Sequence, residues 1–368
     1  MKKILFGITS LTLGGAERVL VDLANELSKD YEIVIWTLYG NGQLEKQLNK
    51  NVKLKSYMDK SYDEISKFQK LLMPLKVLFL QKHIYKNSIK DDYQVEVAFL
   101  EGPITRLIST KNRNVKKIAW VHNDISKVFG KGLKAKMKKI IDEKIYSKFE
   151  KLVFVSKDNL EEFEKTYPNI KNEKQVIYNY LDSKSIIEKA KQDIEEFDKN
   201  TINFVTVARL VEQKAIDRLI KVHSNLINNG LIHNFYIVGD GPQRTELEKL
   251  IKENNVEKTF HLCGRKENPY PYIKQADYFC LFSHYEGYGM VLDEAKILNK
   301  KILITDTAAR EAVQNYDKSK IVDNNENAIY QILEKILKNE EDKFDDNIEA
   351  EYENVEIIEQ IKQLIEGW

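Results

Sequence analysis

Cysteine is nearly absent from this 368-residue chain: Cys263 and Cys280 are the only two, each inside an apolar run of the C-terminal half. Two such residues make neither a disulfide framework nor a metal-ligand cluster, and they fit a reducing compartment. No run of about 18 apolar residues occurs, so no segment reads as a membrane-spanning helix. There is no Asp-x-Asp pair, so no divalent metal is expected, and the chain is read as using no cofactor. Nucleic-acid recognition motifs, internal repeats, heptad seams and low-complexity tracts are missing as well, and no nucleic-acid partner is expected. The N-terminus mimics a signal peptide, with Lys2-Lys3 ahead of Ile4 to Leu13 and Gly14-Gly15-Ala16. Thr9, Ser10 and Thr12 interrupt its apolar stretch and a helical pattern follows at once, so a buried first strand and a cytoplasmic location are the expectation.

What is present suits a large globular protein. Hydrophobic residues make up 42 % and charged residues 31 %, enough for two cores in domains of roughly 180 residues. The net charge of +1 hides an asymmetry. Residues 1–180 carry 33 Lys and Arg against 22 Asp and Glu, and residues 181–368 carry 25 against 35. A basic front half suits an anionic partner, although compositional drift in a Lys-rich chain gives the same bias.

Short apolar runs alternate with helical patterns, the signature of parallel β–α units. Strands are expected near Ile4–Ile8, Glu32–Thr37, Val52–Lys55, Val95–Phe99, Lys117–Val121, Lys151–Val155 and Gln175–Tyr178. Five more fall near Asn203–Val207, Asn234–Val238, Thr259–Leu262, Tyr278–Leu281 and Lys301–Ile304. The acidic Asp182–Asn200 reads as a connection between domains 1–181 and 182–351. The amphipathic stretch 352–368 is expected to pack back on the first domain.

Four constellations carry chemistry. Gly14-Gly15 sits between the first strand and its helix, where the backbone can approach a phosphate; a tight turn explains the pair equally well. Arg209 and Lys214 lie five residues apart in the loop after the first strand of the second half, a fork and a point charge able to meet one pyrophosphate. A solvated loop is the plainer alternative. Gly239-Asp240-Gly241-Pro242 leaves a strand and opens a helix, largely as turn chemistry, with Gly239 on the ligand-facing rim. The strongest is Glu286-Gly287-Tyr288-Gly289-Met290-Val291-Leu292-Asp293-Glu294. With Glu294 read as about two turns into the next helix, eight helical residues separate the two carboxylates by roughly 12 Å. Paired carboxylates accept hydrogen bonds from hydroxyls, and the glycine backbone offers N–H donors.

These segments, in this order over nearly the whole chain, resemble the retaining GT-B glycosyltransferases of family 4, many of which build bacterial capsular, lipopolysaccharide or glycolipid sugars. The resemblance is most specific over Phe204–Ala312. It implies an α/β GT-B fold of two facing Rossmann-like domains with a cleft between them, an acceptor-side first domain and a donor-binding second. It implies transfer of a hexose, with UDP favoured, to a glycan or lipid-linked hydroxyl. Glu286 is then expected on the donor sugar and Glu294 on the ribose. Arg209 and Lys214 are expected on the diphosphate, with Gly14 and Gly15 closing from the other domain. Gly239, Gly287, Tyr288, Gly289, Met290 and Val291 line the donor, and Glu267 or Asn268 lies near the base. His122, at a strand end, is expected to point into the cleft beside the reacting centre, with Glu101 and Asp124 as acceptor-side candidates. No carboxylate acts as a nucleophile, because the implied mechanism is front-face displacement, unlike the double displacement of glycosidases. Two departures stand out. Ala215 replaces a frequent glycine after the Lys, read as a small change, and Thr307-Ala308-Ala309-Arg310-Glu311 lacks a glycine pair.

The lysines from Lys127 to Lys151, interleaved with apolar residues, read either as a basic helix at the inner face of the plasma membrane or as a core helix with a solvated face. The apolar Ser66–Ile84 adds to the membrane alternative. Two further readings compete with a transferase: a non-catalytic partner on the same fold, and a nucleotide-sugar epimerase.

Overall fold

The computed structural model describes residues 1–110, 115–122, 133–340 and 354–367. It divides into two compact units, Met1–Leu181 with Asn354–Trp368, and Asp182–Glu353.

The first unit holds strands β1 (Lys3–Ile8), β2 (Glu32–Tyr39), β3 (Lys53–Met58), β4 (Val95–Ala98), β5 (Lys116–Val121), β6 (Lys151–Phe154) and β7 (Glu173–Val176). All pair in parallel, in the order β3-β2-β1-β4-β5-β6-β7. Its helices are α1 (Gly15–Leu27), α2 (Lys67–Ser88), α3 (Pro103–Ile108), α4 (Leu133–Tyr146) and α5 (Lys157–Thr166). The central strands read as unbroken apolar runs because a parallel sheet is covered on both faces: Ile4, Leu5, Phe6, Ile33, Val34, Ile35 and Trp36 are all buried. Val19, Leu20, Leu23, Ala24 and Leu27 recur at helical spacing and form the inward face of α1.

The second unit begins with α6 (Ser183–Lys189) and continues β8 (Asn203–Val207), α7 (Ile216–Asn228), β9 (Asn234–Val238), α8 (Arg244–Glu253), β10 (Phe260–Gly264), α9 (Tyr270–Gln275), β11 (Tyr278–Leu281), α10 (Val291–Ile297), β12 (Lys301–Thr305), α11 (Arg310–Val313), β13 (Ser319–Val322) and α12 (Glu326–Leu337). The strands pair in parallel in the order β10-β9-β8-β11-β12-β13. The last helix, α13 (Asn354–Glu366), belongs to the first unit. It buries Ile357, Ile358, Ile361, Leu364 and Ile365, and it pairs Lys362 with Asp30 at 2.8 Å.

Two local features depart from the sequence reading. The strand β13 was not expected: its Ser-Lys-Ile-Val sequence sits at a sheet edge and leaves Ile321 exposed, so it lacks an apolar signal. The stretch 182–200 is part of the second unit, where α6 packs on α9 and α10 and Phe197 lies 4.3 Å from the Tyr236 ring. Asp182 caps α6 by accepting the Ser185 N–H, which a scan for Gly and Pro alone does not register.

In both sheets the strand order reverses about the first strand of the unit, between β1 and β4 and between β8 and β11. Ligands of doubly wound sheets bind outside the carboxyl ends of strands at this point. The loops leaving β8 and β11 carry Lys214 and Glu286; those leaving β1 and β4 carry Gly14 and Glu101.

Candidate active site

In the second unit the two switch-point loops are tied to each other. Leu210 is buried under the Gly239–Gln243 turn, where its N–H donates to the Asp240 carbonyl at 3.1 Å and its carbonyl accepts the Gln243 N–H at 3.2 Å. A Cβ at Gly239, whose φ is +153°, would fall 1.9 Å from the Ala208 carbonyl oxygen, and one at Gly241 would fall 2.3 Å from that of Leu210. Both glycines are therefore required by loop-on-loop packing within the protein.

Past Leu210 a single 3-10 turn, Glu212–Lys214, delivers Lys214, and Ala215 follows at φ +50° before α7 starts. That left-handed conformation costs an alanine about 1 kcal/mol. The substitution of alanine for the family's frequent glycine is thus more than a small change at a helix start. The Gln213 carbonyl accepts the His284 N–H at 2.9 Å, and the Gln213 amide donates to the Tyr285 carbonyl at 3.0 Å. On the other side, Thr305 Oγ1 donates to the Ser283 carbonyl at 2.8 Å, and the buried Arg218 donates to the Phe282 carbonyl at 2.7 Å. The start of the β11 loop, Phe282 to Tyr285, is thus held from both sides.

Glu286 stands at the centre and is 6 % exposed. Its Oε1 accepts from Lys214 Nζ at 2.5 Å and from Ser283 Oγ at 2.5 Å, while its Oε2 accepts a long contact of 3.4 Å from Gln213. A buried carboxylate is stable here because a cation and a hydroxyl share one oxygen. The second oxygen keeps most of its accepting capacity. Arg209 lies at the other end of its loop, exposed, and its guanidinium makes no hydrogen bond or ion pair among the described residues. The structure therefore joins Lys214 to Glu286 and leaves Arg209 apart. Ser283 and Gln213 were not singled out from sequence, although both lie in or beside the motifs that were.

The glycine loop beyond Glu286 is open on one side: a Cβ at Gly287 would meet nothing within 4 Å. Gly289, at φ +77°, turns the chain into α10. Tyr288 is buried with its hydroxyl 3.4 Å from Asp293, and the N–H groups of Gly287, Gly289, Met290 and Val291 have no acceptor among the described residues. This is a run of donors beside a carboxylate and a lysine.

The geometry corrects one expectation. Because α10 starts at Val291, Glu294 lies in its first turn, so the separation of eight helical residues does not apply. Glu294 is nearly buried and accepts from the Tyr270 hydroxyl at 3.2 Å. Its neighbour Asp293 is fully buried, and desolvation raises its pKa against the pull of Lys296 at 2.7 Å. Its Oδ2 has no hydrogen-bond partner among the described residues. Asn268 donates to the Lys189 carbonyl at 2.8 Å and to Gln192 at 3.2 Å, so its amide is committed within the protein.

In the first unit the candidates stand on separate loops. Gly14 caps α1 in an extended conformation, and the Glu17 side chain folds over it, so that a Cβ at Gly14 would fall 2.1 Å from Glu17 Oε2. Burial pushes the Glu17 carboxyl up. Gly15, the first helical residue, is exposed. Glu101 follows β4, before Gly102 at φ +82°, and accepts the His122 backbone N–H at 2.5 Å. The His122 ring packs 4.7 Å from Phe99 and stacks 6.5 Å from Trp120. Burial lowers its pKa to about 3, and Nε2 is shut away from solvent with no partner among the described residues. At neutral pH it is an uncharged imidazole. Asp124, Lys127 and Lys131 lie outside the described residues. Among the described residues no group of three or more His, Cys, Asp or Glu side chains could hold a metal.

Each unit thus carries loops at a topological switch point of a doubly wound sheet, and the second braces them around a carboxylate–lysine pair, groups suited to hydroxyls and anions. Residues 187–353 match the family Glycosyl transferases group 1. Two Campylobacter jejuni relatives are each 27 % identical. One is an N-acetylgalactosamine-N,N'-diacetylbacillosaminyl-diphospho-undecaprenol 4-alpha-N-acetylgalactosaminyltransferase, over 96 % of this chain and 93 % of that one. The other is a GalNAc-alpha-(1->4)-GalNAc-alpha-(1->3)-diNAcBac-PP-undecaprenol alpha-1,4-N-acetyl-D-galactosaminyltransferase, over 80 % of this chain and 77 % of that one. The crystal structure of Anabaena HepE in complex with UDP is 16 % identical and matches the fold with a TM-score of 0.76 over the full length of both chains. The chain is a GT-B glycosyltransferase whose second unit carries the group 1 domain.

Proposed function

We propose that this glycosyltransferase is a retaining family 4 hexosyltransferase that moves a sugar from a UDP-sugar to a hydroxyl of a lipid-linked glycan, in the synthesis of a bacterial cell-surface polysaccharide. The observation that carries the proposal is the pair of loops braced on Glu286. Its Oε2 keeps room for a sugar hydroxyl, while Lys214 on Oε1 is a cation that a diphosphate can draw away. Arg209 adds a second, uncommitted cation, and the open N–H groups of the Gly287–Val291 loop add donors. These groups offset the negative charge that gathers on the departing nucleoside diphosphate. The named acceptors of the Campylobacter relatives, sugars on diphospho-undecaprenol, support the lipid-linked acceptor, and the UDP of the Anabaena complex supports the nucleotide.

In the proposed reaction the acceptor hydroxyl attacks the anomeric carbon from the leaving-group side as the bond to the diphosphate breaks. The hydroxyl proton passes to the departing phosphate oxygen. Neutral His122 positions a hydroxyl and is not a cation. No divalent ion takes part.

The test is release of UDP from a panel of UDP-sugars, with GDP- and ADP-sugars in parallel, in buffer with and without EDTA. Slow hydrolysis insensitive to EDTA, lost in Lys214→Ala, and an α-linked product from an α-linked donor by NMR are expected. Neither binding nor hydrolysis of any donor would sink the proposal. Tight binding without turnover on any acceptor would indicate a non-catalytic partner, and epimerised donor without acceptor would indicate an epimerase.

A further inference from the structure

The loop that offers its N–H groups beside Glu286 has little with which to hold itself. Of residues 287–289 two are glycine, and Tyr288 supplies the only side chain. Gly287 has open space where a Cβ would lie, and Gly289 turns the chain at φ +77°. Glycine loses more conformational freedom on ordering than any other residue, so a loop with two of them needs an anchor. Tyr288 is that anchor. It is 8 % exposed, and its hydroxyl stands 3.4 Å from Asp293 Oδ1 across the turn.

Asp293 stands where an apolar residue would fit. It is fully buried in the first turn of α10, with Leu292 and Ala295 buried beside it. Its Oδ1 also accepts from Lys296 at 2.7 Å, while Oδ2 has no hydrogen-bond partner among the described residues. Taking a carboxyl out of water with one oxygen unsatisfied costs stability. Burial accordingly raises its pKa against the pull of Lys296. A leucine would fill the place without that cost, and an ion pair three residues apart on one helix returns little. Packing therefore does not explain the residue. Tyr288 is the one other side chain bonded to it among the described residues.

We infer that Asp293 is a positioning residue for donor binding: through Tyr288 it holds the chain from Gly287 to Gly289, so that the loop's N–H groups are ordered before the donor arrives. The inference rests on the proposal that this loop meets the donor, and it names the residue that readies it. A loop ordered in advance loses less entropy on binding, which strengthens binding without touching the reacting atoms. Asp293 should therefore act on the affinity for donor and leave the rate of the bound complex alone. Order at the loop is gained at some loss of stability, a trade common at functional sites.

UDP-sugar hydrolysis, thermal melting and amide hydrogen exchange of the full chain test it together. Asp293→Leu should melt at or above the parent temperature, raise KM for the donor about tenfold and leave kcat within about twofold. Tyr288→Phe removes only the hydroxyl and should raise KM as much, and the double variant should be no worse than either single one. It reads the same link should Asp293→Leu fail to fold. Asp293→Asn keeps an oxygen for the hydroxyl and should stay within about threefold of the parent KM. Without donor, the Leu292 and Glu294 amides donate to the Gly289 and Met290 carbonyls at 2.8 and 3.3 Å. Both should exchange faster in Asp293→Leu and Tyr288→Phe and at the parent rate in Asp293→Asn. A parental KM in Tyr288→Phe, or effects of the two changes that multiply, would overturn the inference. So would Asp293→Leu melting lower with KM unchanged. If the parent turns over no donor, the proposed reaction fails by itself, and the exchange rates decide: faster exchange supports the hold on the loop and unchanged rates overturn it.

Discussion

The two units wind their sheets in the same sense about a central first strand, yet they brace opposite ends differently. At the carboxyl ends, the second unit ties two loops to one carboxylate through Lys214, Ser283 and Gln213. In the first unit the same end carries Gly14, Glu101 and His122 on three loops joined by one described bond, from the His122 N–H to Glu101. At the amino ends both units bury polar groups, with contrasting chemistry. The first buries an ion pair: Lys117 Nζ donates to Glu96 at 2.6 Å and to the Ile108 carbonyl at 2.7 Å, and the Tyr85 hydroxyl donates to Glu96 at 2.5 Å. The second buries an uncharged chain. The Leu231 carbonyl can only accept, so His233 Nδ1 carries its proton and His233 Nε2 accepts from His223 Nδ1 at 2.8 Å. His223 Nε2 then accepts from Thr259 at 2.8 Å. Loops braced on one carboxylate are thus set over an uncharged base in the second unit, and the first unit has a charged base.

The largest effect should come from splitting the buried ion pair. Lys117→Met leaves Glu96 alone in the interior and should cost about 3–5 kcal/mol. Lys117→Met with Glu96→Gln should recover most of it. Chemical denaturation followed by fluorescence should show the loss in one transition and leave the other in place. Equal loss in both transitions would mean that the two bases are not independent.

Acid should act more steeply on the other unit, which buries two such histidines where the first unit buries His122. Burial lowers the pKa of His233 to about 4 and that of His223 to about 2, against about 6.5 when unfolded. Below pH 6.5 the unfolded chain takes protons that the folded chain refuses. Stability contributed by the neutral chain is therefore full above pH 6.5 and lost as pH falls toward 4. The slope is about 1.4 kcal/mol per pH unit for each histidine that titrates this way. Melting from pH 7 to 4.5 should show the steeper fall in the second unit, and His223→Phe, His233→Phe should flatten it. An unchanged slope would place the acid-sensitive groups elsewhere.

The smallest effect concerns the mouth itself. Ala215→Gly removes the left-handed strain but frees the unfolded chain, so stability should rise by less than about 1 kcal/mol. Ala215→Val should lower it by more, as read by thermal melting. A loss with glycine would show that the buried methyl outweighs the strain.

Much of the fold was legible because parallel strands buried on both faces are continuous apolar runs; edge strand β13 lacks that pattern and was missed. The meeting of Lys214 with Glu286 was legible because the residues around it lie in two short segments, 209–215 and 283–294. What stayed hidden was non-local or conformational. The positive φ of Ala215 leaves no mark on an alanine, and Glu294's place in the first turn depends on where Gly289 starts the helix. The chain of His223, His233 and Thr259 joins residues up to 36 positions apart. The fold of Glu17 over Gly14 leaves only Gly15 exposed in a glycine pair that reads from sequence equally as a phosphate approach or a tight turn.

The central claim is a division of labour between Lys214 for the diphosphate and Glu286 for the sugar. Calorimetry of UDP and of a UDP-sugar with the parent, Lys214→Ala and Glu286→Gln tests it most directly. Lys214→Ala should weaken both ligands by tenfold or more. Glu286→Gln should weaken the UDP-sugar while leaving UDP as tight as in the parent or tighter, because Lys214 no longer has a carboxylate competing for it. Equal losses for UDP and UDP-sugar in Glu286→Gln would contradict the account.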